Sequence, residues 1–287
     1  MGKKYYCLIA GLPDIVLGDK KVLFNSIILC ESLLDELSAQ DLEMAKALYL
    51  PFDHYNLISL LFNQQKEFDP RGLFTLMDLE LMLDKKNIED IDNSNYPQYM
   101  IQFVKEILLA EEKISSTEAE VLLFKKYIGY LKSFSNQFLS DFVDYEVNVK
   151  NVFTALTGKK YGIEYEKELI GGGEIVEALV KSRSRDFGLA SEFDQIETLV
   201  QTYENESLLE RELKIDQLKW EYLDEATFFH YFTIEKVLGF IFKQFMVERW
   251  IALDEEEGQK MFRKLLSELE SSYEFPEEYK LSHGKKK

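Results

Sequence analysis

Apolar residues recur at helical spacing along most of this chain. The longest stripe runs from Phe124 to Leu156 with a mean step close to 3.6 residues, which is the period of an α-helix. It predicts one continuous helix over about 117–157, with a bend at Gly129 or near Asp141.

Local signals support the ends of this long helix. Thr117–Glu120 has the form of a capping box at its start, and Gly158 is a plausible end. The chain has no proline between Pro97 and Pro276, and an interior proline costs about 3 kcal/mol in a helix. Long helices are therefore permitted throughout that region.

The same spacing predicts a series of further helices. They cover Asp19–Leu37, Gln40–Leu50, Asp53–Asn63, 70–83 with Pro70 in the first turn, Tyr96–Glu111, Glu174–Lys181, Ser191–Asp224, Ala226–Leu253 and Glu256–Ser271. The polar stretch 84–95 predicts a loop, and the basic tail 282–287 predicts a disordered end. No run alternates with a period of two residues, so the prediction is a single all-α domain over 1–287.

A weak internal repeat indicates a fold built from two or three similar helical units. Asn56 aligns with Asn151, and the Arg71-Gly72 step aligns with Gly172-Gly173. Pseudo-repeat units of about 1–95, 96–190 and 191–287 would follow if helical units are stacked. Chance similarity between amphipathic helices is the alternative.

Charge and cysteine content narrow the choice of partners and compartment. A net charge of −18, from 52 acidic and 34 basic residues, repels nucleic-acid backbones and anionic lipids but allows a basic protein partner. No apolar run reaches the ~18 residues needed to span a bilayer, and the N-terminus lacks a signal-peptide cleavage site. Cys7 and Cys30 lie in apolar sequence without CxxC spacing, so we expect two buried free thiols in a cytoplasmic protein.

Residues 150–173 carry the features that come nearest to a nucleotide-binding motif. A Walker A loop needs glycine where Phe153 stands and a hydroxyl after the lysine, whereas the chain has Gly158-Lys159-Lys160. The run Gly171-Gly172-Gly173 lacks both GxGxxG spacing and a preceding strand. We therefore expect no cofactor, and we interpret the triple glycine as a hinge before a helix at Glu174.

Catalytic and metal-binding signatures are also missing from the sequence. None of the three histidines has glutamate three residues earlier, and there is no HExxH motif. Asp141, Asp144 and Glu146 lie close together on the long helix, but a solvated face explains them without a catalytic pocket. We expect no catalytic residue and no metal ligand.

Asn148 and Asn151 interrupt the apolar stripe where a helix should be well packed. An unpaired buried amide costs roughly 1–3 kcal/mol, so each needs a partner. Three structural readings stay open, namely a cap, a bend or a hydrogen bond to a neighbouring helix. The functional readings are a polar anchor between repeated units and a contact with a bound partner.

Residues 144–173 resemble the C subunit of V-type and A-type rotary ATPases, which is called subunit d in eukaryotes. The resemblance lies in DYEVNVKNVFTALTGKKYG at 144–162 and ELIGGG at 168–173. Tyr5-Tyr6 and FIFKQFMVERWI at 240–251 are similar to the family's start and its final long helix. Thr157 replaces the family's usual arginine, and the asparagine expected after Glu248-Arg249 is missing, so the chain looks like a divergent bacterial branch.

The resemblance implies a funnel-like array of long-helix bundles and a non-catalytic role. Such a subunit is a rotor adapter of the central stalk, which holds the foot of the axle in its cavity and sits on the membrane rotor ring. It is peripheral to the membrane through the ATPase complex and does not insert directly. The residues implied in partner or inter-unit contacts are Asn148, Asn151, Lys159, Lys160, Tyr161, Glu248 and Arg249, with Gly171, Gly172 and Gly173 as a hinge.

Two other functional classes compete with the rotor adapter. A generic helical scaffold would share the all-α pattern without any link to an ATPase. A helical metal-dependent enzyme would instead need acidic or histidine side chains that converge on a pocket.

Overall fold

The computed structural model describes residues 4–84, 95–110 and 114–272, with side chains described as far as Asp254. The described residues form helices and no strand, which confirms the all-α prediction. The helices are α1 Tyr6–Gly11, α2 Ser26–Glu36, α3 Ala39–Ala47, α4 Leu50–Leu61, α5 Leu76–Leu83, α6 Gln98–Leu109, α7 Ser116–Ser133, α8 Gln137–Tyr161, α9 Glu174–Lys181, α10 Ile196–Glu204, α11 Leu208–Ala226 and α12 Ile234–Ser272.

The helices pack in three successive triplets, α2–α4, α6–α8 and α10–α12. The first two helices of each triplet contact each other. The third helix of each triplet then packs on the second helix of the next, so α4 contacts α7, α8 contacts α11, and α12 contacts α3. The last of these contacts returns the chain to its beginning and closes a cycle. Unit boundaries near residues 95 and 190 stay a prediction.

The prediction of one helix over 117–157 was wrong, because two helices, α7 and α8, replace it. α7 ends at Ser133 with Phe134 in extended conformation, and α8 begins after Asn136. The Asn136 side chain accepts a hydrogen bond from Leu139 N at 2.9 Å and so caps α8. The break lets α7 pack against α8, and it lies between the two predicted bends.

Both ends of this helical region also differ from the prediction. The capping box is formed by Ser115 and Glu118, two residues before the predicted one. Gly158 lies inside α8, and Gly162, with φ of 65°, ends the helix. A positive φ strongly favours glycine. Gly162, and not Gly158, is therefore the glycine that ends α8.

The N-terminal third deviates from the predictions at three helix starts. α2 begins at Ser26 and not at Asp19, because Asn25 caps it by accepting from Ile28 N. Pro51 lies in the first turn of α4 and does not separate two helices. Pro70 does not start a helix. α5 begins only after Thr75, which forms a capping box with its N3 residue.

Two further boundaries differ in the C-terminal third. The predicted helix Ser191–Asp224 divides into α10 and α11, with Ser207 capping the second by accepting from Glu210 N. The predicted helices on either side of residue 255 form the single helix α12, which begins at Ile234. By contrast, α9 spans Glu174–Lys181 as predicted. The predicted loop 84–95, apart from its ends, and the tail 282–287 lie outside the described residues.

Candidate functional site

A cavity of about 520 Å³ lies where the three triplets meet. Its wall is mainly apolar, and helices of every triplet contribute to it. Representative wall residues are Leu48 and Phe52 from the first triplet, Tyr127 and Val143 from the second, and Phe245 and Met246 from the third. This space, called here the central cavity, is the candidate functional site.

Paired charges line one side of the central cavity. Lys219 Nζ lies 2.7 Å from Glu146 Oε1, which joins α11 of the third triplet to α8 of the second. Burial lowers the pKa of Lys219, but the Glu146 carboxylate more than offsets this and the net pKa is raised. The lysine therefore stays charged. Sequence reasoning interpreted Glu146 as part of a solvated face, and in the structure its side chain is 33% exposed and paired with Lys219.

Arg249, a predicted contact residue, also lines the central cavity. Its guanidinium is ion-paired with Asp216, and Trp250 Nε1 donates to the same carboxylate at 2.8 Å. Asp216 is only 3% exposed, so these two donors satisfy a buried charge that would otherwise be costly.

Glu248, the neighbouring predicted residue, holds the chain's N-terminal region. Its carboxylate accepts from Ser26 N at 2.5 Å and from Ser26 Oγ at 2.7 Å. Arg71 NH1 lies 3.8 Å from Glu248, while the other nitrogens of Arg71 bind Asp69. The Arg71 guanidinium also stacks over the Phe52 ring at 4.0 Å.

Asn151 on α8 binds the segment that follows this helix, a contact called here the Ile170 clamp. Its side chain is buried, donates to Ile170 O at 2.9 Å and accepts from Ile170 N at 2.9 Å. Asn56 on α4 makes the same pair of bonds to the backbone of Asp69, at 2.9 and 2.8 Å. The two asparagines that the sequence alignment paired therefore bind the backbone N–H and C=O of a single residue in the same way.

The other candidates on α8 lie away from the central cavity. Asn148 is half-buried on α8. Lys159 Nζ donates to Ser182 O at 2.8 Å and lies 3.7 Å from the Phe187 ring, and burial lowers its pKa. Lys160 and Tyr161 are exposed at the end of the helix. The structure thus places Arg249 on the wall of the central cavity, whereas Glu248, Lys159, Lys160 and Tyr161 lie outside its lining.

The triple glycine occupies the turn before α9. Gly171 has φ of 79° and Gly173 has φ of 89°, which is backbone that side chains with a Cβ rarely adopt. Gly173 is also the N-cap residue of α9. These conformations explain two of the three glycines, and the hinge role stays a prediction.

Sequence reasoning missed three charged residues of the cavity wall, namely Arg71, Asp216 and Lys219. The partners of two of them lie far along the chain, since Lys219 pairs with Glu146 across 73 positions and Asp216 with Trp250 across 34. Arg71 pairs locally with Asp69 and reaches the cavity from the segment between α4 and α5. The only local signal was charge within amphipathic helices, which is usual on solvated faces.

Two titratable side chains on α4, which lie outside the lining of the central cavity, have shifted pKa values. Burial lowers the pKa of His54 to about 3, and its Nε2 lies 2.6 Å from Tyr99 Oη. Burial raises the pKa of Asp53 to about 6, although Leu73 N and Phe74 N donate to its carboxylate. Neither group contacts the cavity, so we assign both to folding.

The lowered pKa of His54 predicts a pH-dependent loss of stability. Above pH 6.5 the histidine is neutral in both folded and unfolded chains, whereas between about 6.5 and 3 only the unfolded chain binds the proton. The His54 contribution to stability is therefore lost as pH falls through this window, by at most about 1.4 kcal/mol per pH unit. We expect His54→Gln to lose less free energy of unfolding between pH 7 and pH 4.5 in urea titrations. Parallel curves for the two proteins would contradict this assignment.

Cys7 is exposed and Cys30 is partly buried, both as free thiols, so the prediction of two buried cysteines was wrong for Cys7. Among the described side chains, no three His, Cys, Asp or Glu residues converge as a metal site would require. None of the described helices carries an apolar stretch of the length that crosses a bilayer.

Comparison with known proteins identifies the family of this chain. Neither the curated proteins nor the solved structures contain a significant match to this chain. A family model described as "Protein of unknown function (DUF2764)" matches residues 1–273, and the chain therefore belongs to that family.

Proposed function

We propose that this protein is a non-catalytic central-stalk subunit of a V/A-type rotary ATPase, which links the axle to the membrane rotor ring. The observation that carries the proposal is the central cavity, because walls from three cyclically packed triplets surround it. The resemblance of residues 144–173 to the C subunit supports the same conclusion. The protein would then be cytoplasmic and peripheral to the membrane through the complex.

The wall chemistry favours a protein segment as the occupant of the central cavity. Aromatic and aliphatic side chains dominate the wall, and the cations Lys219 and Arg249 each have a carboxylate partner within the chain. An apolar helix end would bury this surface, and the ion pairs at its edge would orient it. Long helices held by interlocked triplets suit the transmission of torque.

Co-purification from the native host tests the proposal. The tagged protein is expected to recover the axle and rotor-ring subunits of the ATPase. Recovery of only unrelated proteins would favour a generic helical scaffold and overturn the proposal.

Two exposed leucines provide a matched pair of variants. Leu253 is 41% exposed and lies on the cavity wall, whereas Leu208 is 64% exposed on α11 and is not among the wall residues.

We expect Leu253→Glu to reduce axle recovery by about tenfold, since an unpaired carboxylate in an apolar interface costs more than the 1.4 kcal/mol that a tenfold loss requires. The matched variant Leu208→Glu should leave recovery unchanged, and both should keep the parent's melting temperature within a few degrees. Equal recovery by the two variants would show that the wall of the central cavity does not contact the axle subunit.

A further inference from the structure

A group of exposed aromatic side chains lies where the chain turns from α11 into α12. The turn has the sequence TFFHYFT over 227–233, and it leaves Phe228, Phe229 and Tyr231 in contact with solvent. Phe229 is 80% exposed, and each of the other two is more than half exposed. The ring centres of Phe228 and Phe229 lie 4.9 Å apart, so the two rings form one apolar surface.

The N-terminal helix α1 extends this surface. Tyr5 N donates to Phe232 O at 2.8 Å, and the ring centres of Tyr6 and Phe232 lie 4.6 Å apart. The α1 sequence YCLIAG contains no fully buried residue, and Tyr6 is more than half exposed. The exposed rings at this end of the fold, called here the aromatic patch, are those of Tyr6, Phe228, Phe229 and Tyr231.

The aromatic patch lacks the acidic side chains that give the chain its net charge of −18. Neither α1 nor the turn 227–233 contains Asp, Glu, Lys or Arg. The first carboxylate after the turn, Glu235, is directed into the protein, because it accepts from Asn136 at 2.9 Å and its side chain is only 19% exposed. A partner that covers the patch must therefore be recognised through apolar contact and not through ion pairs.

The aromatic patch is a protrusion and not a groove. Rings this exposed meet solvent over most of their surface, and none of the four lines the central cavity. A second copy of the chain would have to bring together two net charges of −18 in order to cover them, which electrostatic repulsion opposes. A fluid lipid surface accepts protruding aromatic rings without a complementary shape.

We propose that the aromatic patch docks on the surface of a zwitterionic lipid bilayer. The phenylalanine rings enter the boundary between headgroups and acyl chains, while the hydroxyl groups of Tyr6 and Tyr231 stay hydrated among the headgroups. An anionic bilayer is the poorer partner, because its surface potential repels a chain of charge −18. The proposal goes beyond the proposed function, in which the ATPase complex alone holds the protein at the membrane.

The aromatic patch and the central cavity can be occupied at the same time. α12 begins at Ile234, directly after the patch, and the same helix carries Leu253 on the cavity wall. At 1.5 Å per residue these two positions are about 28 Å apart along the helix. A bilayer at the patch therefore leaves the Leu253 end of the cavity free for a protein segment.

Flotation of the purified protein with phosphatidylcholine vesicles tests the proposal. The double variant Phe228→Ser/Phe229→Ser removes the two adjacent rings of the patch. Tyr161→Ser/Leu208→Ser is the matched control, because it removes two side chains that are also more than half exposed but lie outside the patch. Both double variants should keep the parent's melting temperature within a few degrees, since all four side chains are exposed.

We expect the parent protein to float with the vesicles and Phe228→Ser/Phe229→Ser to bind at least about tenfold more weakly, because the apolar area of the rings no longer leaves water. The control should bind as the parent does. Addition of anionic phosphatidylglycerol to the vesicles should weaken binding at low salt, and added salt should restore it by screening the repulsion.

Three results would each overturn the proposal, namely no flotation of the parent, equal binding by the two double variants, and stronger binding to anionic vesicles. A dimer in lipid-free solution that disappears in Phe228→Ser/Phe229→Ser would assign the patch to a second copy and overturn it as well. All these measurements use the protein and lipid alone. Their failure is therefore distinct from failure to recover the axle subunits, which tests the proposed function.

Discussion

Replacing Asn151 by alanine is expected to lower the free energy of unfolding by about 2–4 kcal/mol. The side chain satisfies both polar groups of the Ile170 peptide, which is itself buried. Without the amide, a buried N–H and a buried C=O lose their partners, and each unpaired group costs roughly 1–3 kcal/mol. Urea denaturation followed by far-UV circular dichroism measures the change.

Asn148 provides the matched control for this prediction. It carries the same amide on the same helix, one turn earlier, but it is only half-buried. We expect Asn148→Ala to change the free energy of unfolding by no more than about 0.5 kcal/mol, as is usual for sites outside a buried network. Similar losses for the two variants would show that the Ile170 clamp does not stabilise the fold.

The helical class of this chain could be predicted because it depends on the local periodicity of apolar residues. A step of 3.6 residues and a step of two residues are easy to distinguish over a stripe as long as Phe124–Leu156. The positions where helices end were less predictable. Asn136 and Thr75 cap α8 and α5 with short polar side chains, and such residues also occur inside predicted helices and loops.

The partners of the candidate residues could not be predicted, because they depend on packing between distant parts of the chain. The sequence showed that Asn151 would need a partner, but nothing in it pointed to Ile170. Glu248 was selected through a family resemblance, whereas its observed partner Ser26 lies 222 positions earlier. The central cavity could not be predicted for the same reason, since residues from all three triplets form its wall.

Gly158 shows how one residue type supports two different interpretations. Its sequence position favours a helix end, where glycine provides a positive φ. In the structure that role belongs to Gly162, and Gly158 is instead buried within α8 against Tyr165. A Cβ at position 158 would lie 2.7 Å from Tyr165 Cγ and 2.8 Å from Tyr165 Cβ. The glycine is therefore required by close packing.

Gly158→Ala is expected to destabilise the protein by about 2–3 kcal/mol, although alanine is intrinsically the better helix former. Tyr165 cannot move aside freely, because it is buried and its Oη donates to Leu179 O on α9 at 2.8 Å. Relief of the overlap must displace the tyrosine, and with it the link between α8 and α9. Thermal and urea unfolding measure the loss.

The same substitution at Gly129 should have the opposite sign. Gly129 is exposed inside α7, and a Cβ there would meet no heavy atom within 4 Å. Gly129→Ala should therefore stabilise the protein by about 0.5–1 kcal/mol through helix propensity alone. A gain at both positions would mean that Tyr165 yields easily, and the packing of the 163–173 segment against α8 would then not fix the position of α9.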